Sequence, residues 1–307
     1  MKRGINLIFL SSLLLLLCAC TTAQTVDGTA VSGVVVSSDP TEVLEGSSYA
    51  TTLFGRYGME AAIEGKYLDA LTIFDGESAG AGCIVRVYEK RSYDEAMQDF
   101  GAGAGFLFSI ERLSQAELEH HICNSIDGLA VFARDDEFYY ARGFATDVQL
   151  YRSNGKMESA VWTELQSLGE EVTADFITRN DLVPYTLDSF YEQETTYDGA
   201  HLCYAYYEVP IDAEPTLTLL LSQPVRQGEG GIWCVERVYD PYYDLTYYYF
   251  PACRDVSVGS AEEFYAAAQA QCDAGERFDL LEPVDVCIDF VETYVGRTVG
   301  AGNFVLQ

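Results

Sequence analysis

Alternating apolar and polar positions along the chain predict a series of short strands. Residues with β-branched and aromatic side chains dominate these segments, and Gly, Pro, Asn or Asp often stand between them. The predicted strands cover Ile84–Tyr88, Phe106–Ile110, Leu129–Ala133, Phe138–Phe144, Val148–Tyr151, Cys203–Val209, Leu217–Ser222, Ile232–Tyr239 and Leu245–Phe250. Asp135-Asp136-Glu137 and Pro241-Tyr242-Tyr243-Asp244 supply turn chemistry between neighbouring strands and predict two hairpins.

Helical apolar spacing and capping residues predict helices between these strands. Leu53, Tyr57, Ala61 and Ile63 indicate a helix over residues 48–66. Three further helix starts are predicted because a serine is followed three residues later by a glutamate, so each side chain satisfies a backbone donor of the other. These capping boxes are Ser92 with Glu95, Ser114 with Glu117, and Ser260 with Glu263. Apolar stripes predict two more helices, Glu158–Arg179 and Val284–Tyr294.

The order of these elements predicts an α+β fold, in which an antiparallel or mixed sheet with hairpins packs against several helices. Residues 47–190 are predicted to form one α+β domain. The polar stretch Glu192–Ala200 suggests a boundary, so residues 191–307 form either a second α+β domain or a continuation of the same sheet. Residues 20–46, rich in Thr, Ser, Val and Gly, predict a flexible tether, to which Val31–Val36 could add an edge strand.

The N-terminus has the three parts of a signal peptide. Lys2 and Arg3 precede an apolar run, Leu7–Leu17, that is too short to cross a bilayer stably. The junction Leu17-Cys18-Ala19-Cys20 then resembles the lipobox of bacterial lipoproteins, although Cys18 is unusual at its position. The resemblance implies cleavage of residues 1–19, lipid attachment at Cys20, and an extracytoplasmic protein anchored to the cell membrane. Ordinary secretion with cleavage near Ala23 is the competing interpretation.

The formal net charge is −30, and loss of residues 1–19 with their two basic residues would change it to −32. So acidic a surface repels nucleic acid and anionic lipid headgroups, which argues against both as partners. The charge either keeps the protein soluble or attracts cations or a basic partner.

Seven cysteines remain beyond Cys18 and Cys20, so at least one is unpaired. Several stand in apolar segments, where a buried thiol is as compatible with the pattern as a disulfide. They are Cys83, Cys123, Cys203, Cys234, Cys253, Cys272 and Cys287. Their spacing matches no zinc motif, and neither a metal nor a cofactor is predicted.

Few residues suggest chemistry. The run Gly101-Ala102-Gly103-Ala104-Gly105 lacks the ending of a phosphate-binding loop and is interpreted as a tight connection into the next strand. His120 and His121, with Glu117, Glu119 and Cys123 nearby, form the one histidine cluster. It is interpreted as a solvated helix face, with a metal site as the alternative. His201 is isolated and receives no role.

No serine or cysteine stands in a nucleophile motif, so no catalytic residue is predicted and the enzyme question stays open, leaning towards no enzyme. Paired acidic residues of the glycosidase kind remain compatible with the composition.

Aromatic residues crowd the predicted hairpin at 233–250. Tyr242 and Tyr243, at its turn, are predicted as a binding surface, because amphipathic rings stack on sugars or partner surfaces. The alternative is that the rings pack the two sides of the strand pair. The stretch Leu217–Glu236, with Ser222-Gln223-Pro224 and Gly228-Glu229-Gly230-Gly231-Ile232-Trp233, is similar to a segment of uncharacterised extracytoplasmic proteins of Gram-positive gut bacteria. That similarity implies no activity.

Together these patterns predict a membrane-anchored, non-enzymatic binding or scaffolding module at the cell envelope. The predicted partners are the membrane, through the lipid, and a cell-wall polymer or envelope protein. The alternatives are a cell-wall hydrolase and a purely structural or inhibitory module.

Overall fold

The computed structural model describes residues 51–124, 128–147, 149–155, 160–188, 201–208 and 214–307. The predicted signal peptide, Cys20, the tether and the stretch Glu192–Ala200 lie outside these residues. Within Ser48–Gln307, which form one compact unit, helices accompany three antiparallel sheets, and the predicted α+β class is confirmed. In the described ranges, no helix combines the length and the apolar character needed to span a membrane.

The first described residues form a hairpin of β1, Thr51–Arg56, and β2, Met59–Glu64. The predicted helix over 48–66 is therefore wrong. Tyr57 and Gly58 at the turn both have positive φ, 60° and 78°, as a two-residue hairpin turn requires. Ala61 and Ile63 are fully buried against the sheet that follows, so packing at a distance overrides the local helical spacing.

Six strands form the larger sheet, in the order β3-β4-β5-β7-β6-β8. Their bounds are β3, Leu71–Asp75; β4, Cys83–Glu89; β5, Phe106–Leu113; β6, Leu129–Arg134; β7, Tyr139–Phe144; and β8, Val183–Pro184. The predicted strand Val148–Tyr151 is wrong for residues 149–151, which the structure describes and which belong to no strand. The turn at Asp135 joins β6 and β7 as predicted, with the Asp135 carboxylate accepting from the backbone of Glu137 and Phe138.

Five strands form a second sheet, in the order β12-β11-β10-β9-β13. They are β9, His201–Tyr206; β10, Leu217–Ser222; β11, Cys234–Asp240; β12, Leu245–Tyr248; and β13, Phe304–Leu306. The predicted hairpin around Tyr242 is confirmed as the connection of β11 to β12. The division into domains at residue 190 stays a prediction.

The described helices are α1, Gly65–Leu68; α2, Lys90–Phe100; α3, Gln115–Asn124; α4, Ala160–Leu165; α5, Leu168–Arg179; α6, Ala261–Asp273; and α7, Pro283–Phe290. The capping boxes at Ser114 and Ser260 are confirmed.

The predicted capping box of Ser92 with Glu95 is wrong. Glu89 is the N-cap of α2 and accepts from the Ser92 backbone at 2.6 Å, while Glu95 pairs with Arg91. The predicted helix Glu158–Arg179 is interrupted between α4 and α5, and the last predicted helix changes to a wider π-helical turn after Phe290.

Three apolar clusters stabilise the unit. The first face of the larger sheet packs on α5 through Val172 and Phe176. Gly169 lets α5 approach closely, since a Cβ there would lie 3.0 Å from Phe108. The second sheet packs on α7. Helix α3 covers part of the opposite face of the larger sheet. The apolar cluster formed there also includes Tyr248 of β12 and Phe250, which follows β12.

The glycine run at 101–105 connects α2 to β5, as predicted. Gly101 ends the helix in a left-handed conformation, and Gly105, with φ of 82°, accepts a hydrogen bond from the backbone of Glu89.

Candidate functional site

A cavity of about 550 Å³ lies on the second face of the larger sheet, beside α3. We call it the His121 cavity. Its polar lining consists of Arg86, Ser109, Glu111, Glu117, His120 and His121. Its remaining lining consists of Tyr88, Phe106, Leu113, Gly128, Leu129, Gly143, Phe144 and Val256. Concave sites of this size with a few convergent polar groups are typical ligand pockets.

The floor of the cavity is a row of cross-strand neighbours. Arg86 pairs with Ser109, Ser109 with Gly143, and Gly143 with Leu129, across four strands. Side chains alternate between the two faces of a strand, so Val87 and Phe108 point to the α5 core while Arg86 and Ser109 face the cavity. Gly143 contributes no side chain to this row, and a Cβ there would overlap the Ser109 hydroxyl.

Opposite charges share this floor without pairing with each other. Ser109 donates a 2.8 Å hydrogen bond to Oε1 of Glu111, whose Oε2 has no hydrogen-bond partner among the described residues. Within the same residues, Arg86 belongs to no ion pair. It lies near the Cys83 thiol and Tyr88 hydroxyl, where burial raises the pKa of both groups and Arg86 partly offsets that rise.

His121 lies in the wall formed by α3 and is 4% exposed, so its interpretation as part of a solvated helix face is wrong. The sequence pattern did not indicate this burial, because α3 has buried residues on more than one side, among them Leu118, Glu119 and His121. The Nδ1 atom of His121 is buried and has no hydrogen-bond partner among the described residues. Burial, and secondarily the neighbouring His120, lower the pKa of His121, which favours the neutral imidazole at neutral pH.

His120 is held by a different part of the chain. Its Nδ1 lies 2.8 Å from the Ala252 carbonyl oxygen, so a proton on Nδ1 would complete a hydrogen bond. Asn124, one turn further along α3, donates to the Cys253 carbonyl at 3.1 Å. Cys123 forms a disulfide with Cys253, with a Cα–Cα distance of 5.5 Å. The segment after β12 is thus attached to α3, and it supplies Val256 to the cavity.

The two glutamates of the histidine cluster have structural partners. Glu117 caps α3 at Ser114. Glu119 is buried, accepts from Gln115 at 3.0 Å and from the Ala261 backbone at 2.8 Å, and thereby joins α3 to the start of α6. Burial raises the pKa of Glu119. No group of three metal-ligating side chains occurs in the described part of the chain.

Tyr242 and Tyr243 lie at the β11–β12 turn and are 83% and 51% exposed. Their rings contact each other edge to face, with centroids 4.8 Å apart. The core therefore does not account for either ring, and their predicted role in binding stays a prediction. Cys20, the predicted lipid attachment site, lies outside the described residues.

His201, to which the sequence assigned no role, approaches Glu236 at 3.6 Å in the second sheet. It also stands opposite Ser222, which in turn stands opposite Cys234. This row does not provide a reactive thiol, because burial raises the pKa of Cys234 to about 11. Nucleophilic cysteines require the opposite shift.

Four residues of this site were not predicted from the sequence: Arg86, Ser109, Glu111 and Gly143. The available signal was Ser109 and Glu111 at alternate positions of a strand whose other residues are largely apolar, which marks one face as polar. The arrangement offers one guanidinium, two carboxylates of which Glu117 also caps α3, a neutral imidazole and apolar walls, and its direct capability is to bind a small molecule through several groups at once.

Comparisons of the chain with protein family models, with curated proteins and with solved structures gave no match.

Proposed function

We propose that the protein is an exported lipoprotein, anchored to the outer face of the cell membrane by a lipid on Cys20, that binds a small ligand in the His121 cavity. It acts as a binding module outside the cytoplasm. Its partners are the membrane, through the lipid, and a cell-wall polymer or envelope protein, through the exposed face of the β11–β12 turn.

The export part of the proposal is supported by two features that are far apart in the chain. The signal pattern ending in Leu17-Cys18-Ala19-Cys20 resembles a lipobox. The disulfide between Cys123 and Cys253 supports the same location, because such bonds persist in oxidising compartments and are rare in the cytosol.

The observation that carries the binding part is that Arg86 and Glu111 face one cavity of about 550 Å³ without forming an ion pair with each other among the described residues. Convergent polar groups in a concave site are typical of ligand binding. Gly143 supports the same function, because its missing side chain leaves the floor open.

Membrane attachment is tested by mass spectrometry of the N-terminus and by phase partitioning of the Cys20→Ser variant. We expect a diacylated or triacylated Cys20 in the native protein and release of the variant into the aqueous phase. An unmodified N-terminus, or unchanged partitioning of the variant, contradicts the anchor.

Ligand binding is tested by thermal denaturation of the intact soluble part against a panel of amino acids, peptides, sugars, nucleosides and organic acids. Gly143→Ala, which reduces the cavity, is compared with Gly302→Ala, where an added Cβ meets no atom within 4 Å. We expect at least one compound class to raise the melting temperature of the native protein and of Gly302→Ala, and not of Gly143→Ala. If no class does so, or if Gly143→Ala responds equally, the cavity is not the binding site.

A further inference from the structure

We infer that the His121 cavity selects a small zwitterion, a free amino acid or dipeptide with an apolar side chain, whose carboxylate meets Arg86 and whose ammonium meets Glu111. This inference rests on the proposed binding function and specifies the ligand of that same site.

The first step is the placement of the two charges. Arg86 on β4 stands directly opposite Ser109, and Glu111 lies two positions further along β5 on the same face. Such diagonal cross-strand positions have Cα atoms about 7–8 Å apart, within reach of long side chains. The two side chains nevertheless form no ion pair with each other among the described contacts. Each keeps hydrogen-bonding capacity for a ligand.

The second step is the exclusion of ligands with one charge. An anion that pairs with Arg86 would lie near the Glu111 carboxylate, and a cation that pairs with Glu111 would lie near the guanidinium. Unfavourable contacts of this kind are how binding sites discriminate between related ligands. A molecule that carries one positive and one negative charge satisfies both residues, and its net charge of zero matches the local balance of this pair.

The third step concerns the other groups at the floor. Ser109 is already committed to Glu111 and fixes the position of that carboxylate, while Glu117 is committed to the cap of α3. Burial lowers the pKa of His121, which favours the neutral imidazole, so this part of the wall adds no further charge at neutral pH. These groups suit the polar end of an amino acid or dipeptide.

The fourth step is the apolar part of the lining. Phe106, Leu129 and Phe144 border the charged floor, and Phe144 is 38% exposed. Burial of an apolar ligand side chain against such residues is favourable because it removes apolar surface from water. A cavity of about 550 Å³ has room for a dipeptide. The site therefore favours apolar over acidic or basic ligand side chains.

The test is isothermal titration calorimetry of the intact soluble chain with leucyl-leucine as the zwitterionic probe. N-acetyl-leucyl-leucine keeps only the negative charge, leucyl-leucine amide keeps only the positive charge, and 3-methyl-1-butanol keeps neither. We expect the zwitterion to bind at least ten-fold more tightly than each of the three comparison compounds.

Two variants distinguish charge recognition from general loss of structure. Arg86→Gln should abolish the preference for leucyl-leucine over its amide and keep the preference over the acetylated form. Glu111→Gln, which still accepts from Ser109, should have the opposite pattern. The matched control is the exposed pair of α5, Asp175→Asn and Arg179→Ala, which should leave all four affinities unchanged, and circular dichroism verifies that each variant is folded.

Equal binding of the zwitterion and either single-charge analogue would overturn the inference, as would absence of binding by leucyl-leucine. Binding of another compound class that is lost in Gly143→Ala would then keep the proposed function while refuting the zwitterion. Absence of any ligand in both experiments would refute both.

Discussion

Gly143 on β7 stands directly opposite Ser109 on β5, and a Cβ on the glycine would overlap the serine hydroxyl. The hydroxyl instead donates to Glu111 at 2.8 Å. One missing methyl group thus leaves space for a hydrogen-bonded pair on the floor of the His121 cavity and for the cavity above it.

Gly143→Ala should destabilise the protein by about 1–3 kcal/mol, the usual cost of forcing extra volume into a packed site. Because Ser109 must rotate away from Glu111, the double variant Gly143→Ala with Ser109→Ala should recover much of that loss. Urea denaturation measures both effects. Gly302→Ala, in open space, should change the free energy of unfolding by less than about 0.5 kcal/mol. An additive double variant would show that the two residues do not interact.

Arg152 and Glu89 form a buried bidentate ion pair that fixes the segment at 149–155 to the start of α2. Their side chains are each 5% exposed, with N–O distances of 3.0 and 3.1 Å. Hydrogen bonds from Arg152 and Ser92 outweigh burial and lower the pKa of Glu89. Removal of one partner leaves a buried charge, so Arg152→Met should cost about 3–5 kcal/mol in denaturant unfolding.

The control for Arg152 is Arg179→Ala, which removes a partly exposed pair with Asp175 on α5. Exposed helical pairs of this spacing contribute about 0.3–0.5 kcal/mol. A cost for Arg152→Met as small as that of Arg179→Ala would mean that the buried pair does not stabilise the fold.

The lowered pKa of His121 makes stability depend on pH. The unfolded chain takes up a proton on this residue near pH 6.5, whereas the folded chain takes it up only at lower pH. The free energy of unfolding should therefore fall as the pH decreases below about 6.5, by at most about 1.4 kcal/mol per unit from this group.

The raised pKa of Glu119 acts in the opposite direction, because its stabilising contribution is lost as the pH rises above about 4.5. The comparison that isolates His121 is the pH slope of His121→Leu against that of the native protein between pH 7.5 and 5.5. The leucine variant should have the flatter slope. Equal slopes for His121→Leu and the native protein would contradict a buried neutral imidazole.

The disulfide between Cys123 and Cys253 closes a loop with a sequence separation of 130 residues. Replacement of both cysteines by serine should destabilise the protein by about 2–5 kcal/mol. The affinity of the His121 cavity for its ligand should decrease at the same time, because the bond attaches the segment carrying Val256 to α3.

Non-reducing peptide mapping establishes the pairing before the variant is measured. Cys203→Ser is the matched control, since this thiol is unpaired and partly exposed. Free thiols at both 123 and 253 in the exported protein would contradict the bond.

Tyr242 and Tyr243 are expected to act in binding and not in folding. The double variant Tyr242→Ala, Tyr243→Ala should change the free energy of unfolding by less than about 0.5 kcal/mol for surface substitutions and should reduce retention on purified cell-wall polymer. Phe278→Ala, at a residue 62% exposed elsewhere, is the control for general surface stickiness. Release of soluble wall fragments by the native protein would indicate a hydrolase instead. Unchanged retention of the double variant would remove the turn from the proposed function.

The sequence identified β4, β5, β6 and β10 and the caps at Ser114 and Ser260, because these features depend on residues a few positions apart. It misassigned residues 48–66, where helical spacing coexists with a turn at Tyr57 and Gly58 that admits a hairpin. The deciding interaction there is the burial of Ala61 and Ile63 against distant strands.

For the candidate site the contrast is stronger. The sequence singled out His120 and His121 as the one histidine cluster, and it predicted the exposed tyrosine turn. It gave no indication that Arg86, Glu111 and Gly143 line the same cavity as His121, since that depends on the strand order β4-β5-β7 and on the register of the strands. A shift of one residue in either pairing would move these side chains to the α5 face.

By itself, then, the sequence determined the α+β class, the acidic charge, the local turns and caps, and the pattern from which export and anchoring are predicted, because each is written in composition or short spacing. Only the tertiary structure decided which cysteines pair, which histidine is buried, and where opposite charges face one cavity. Most of these contacts join residues far apart in the chain, such as Cys123 and Cys253 with a sequence separation of 130, and the chain forms them only when strand register and helix packing have been set.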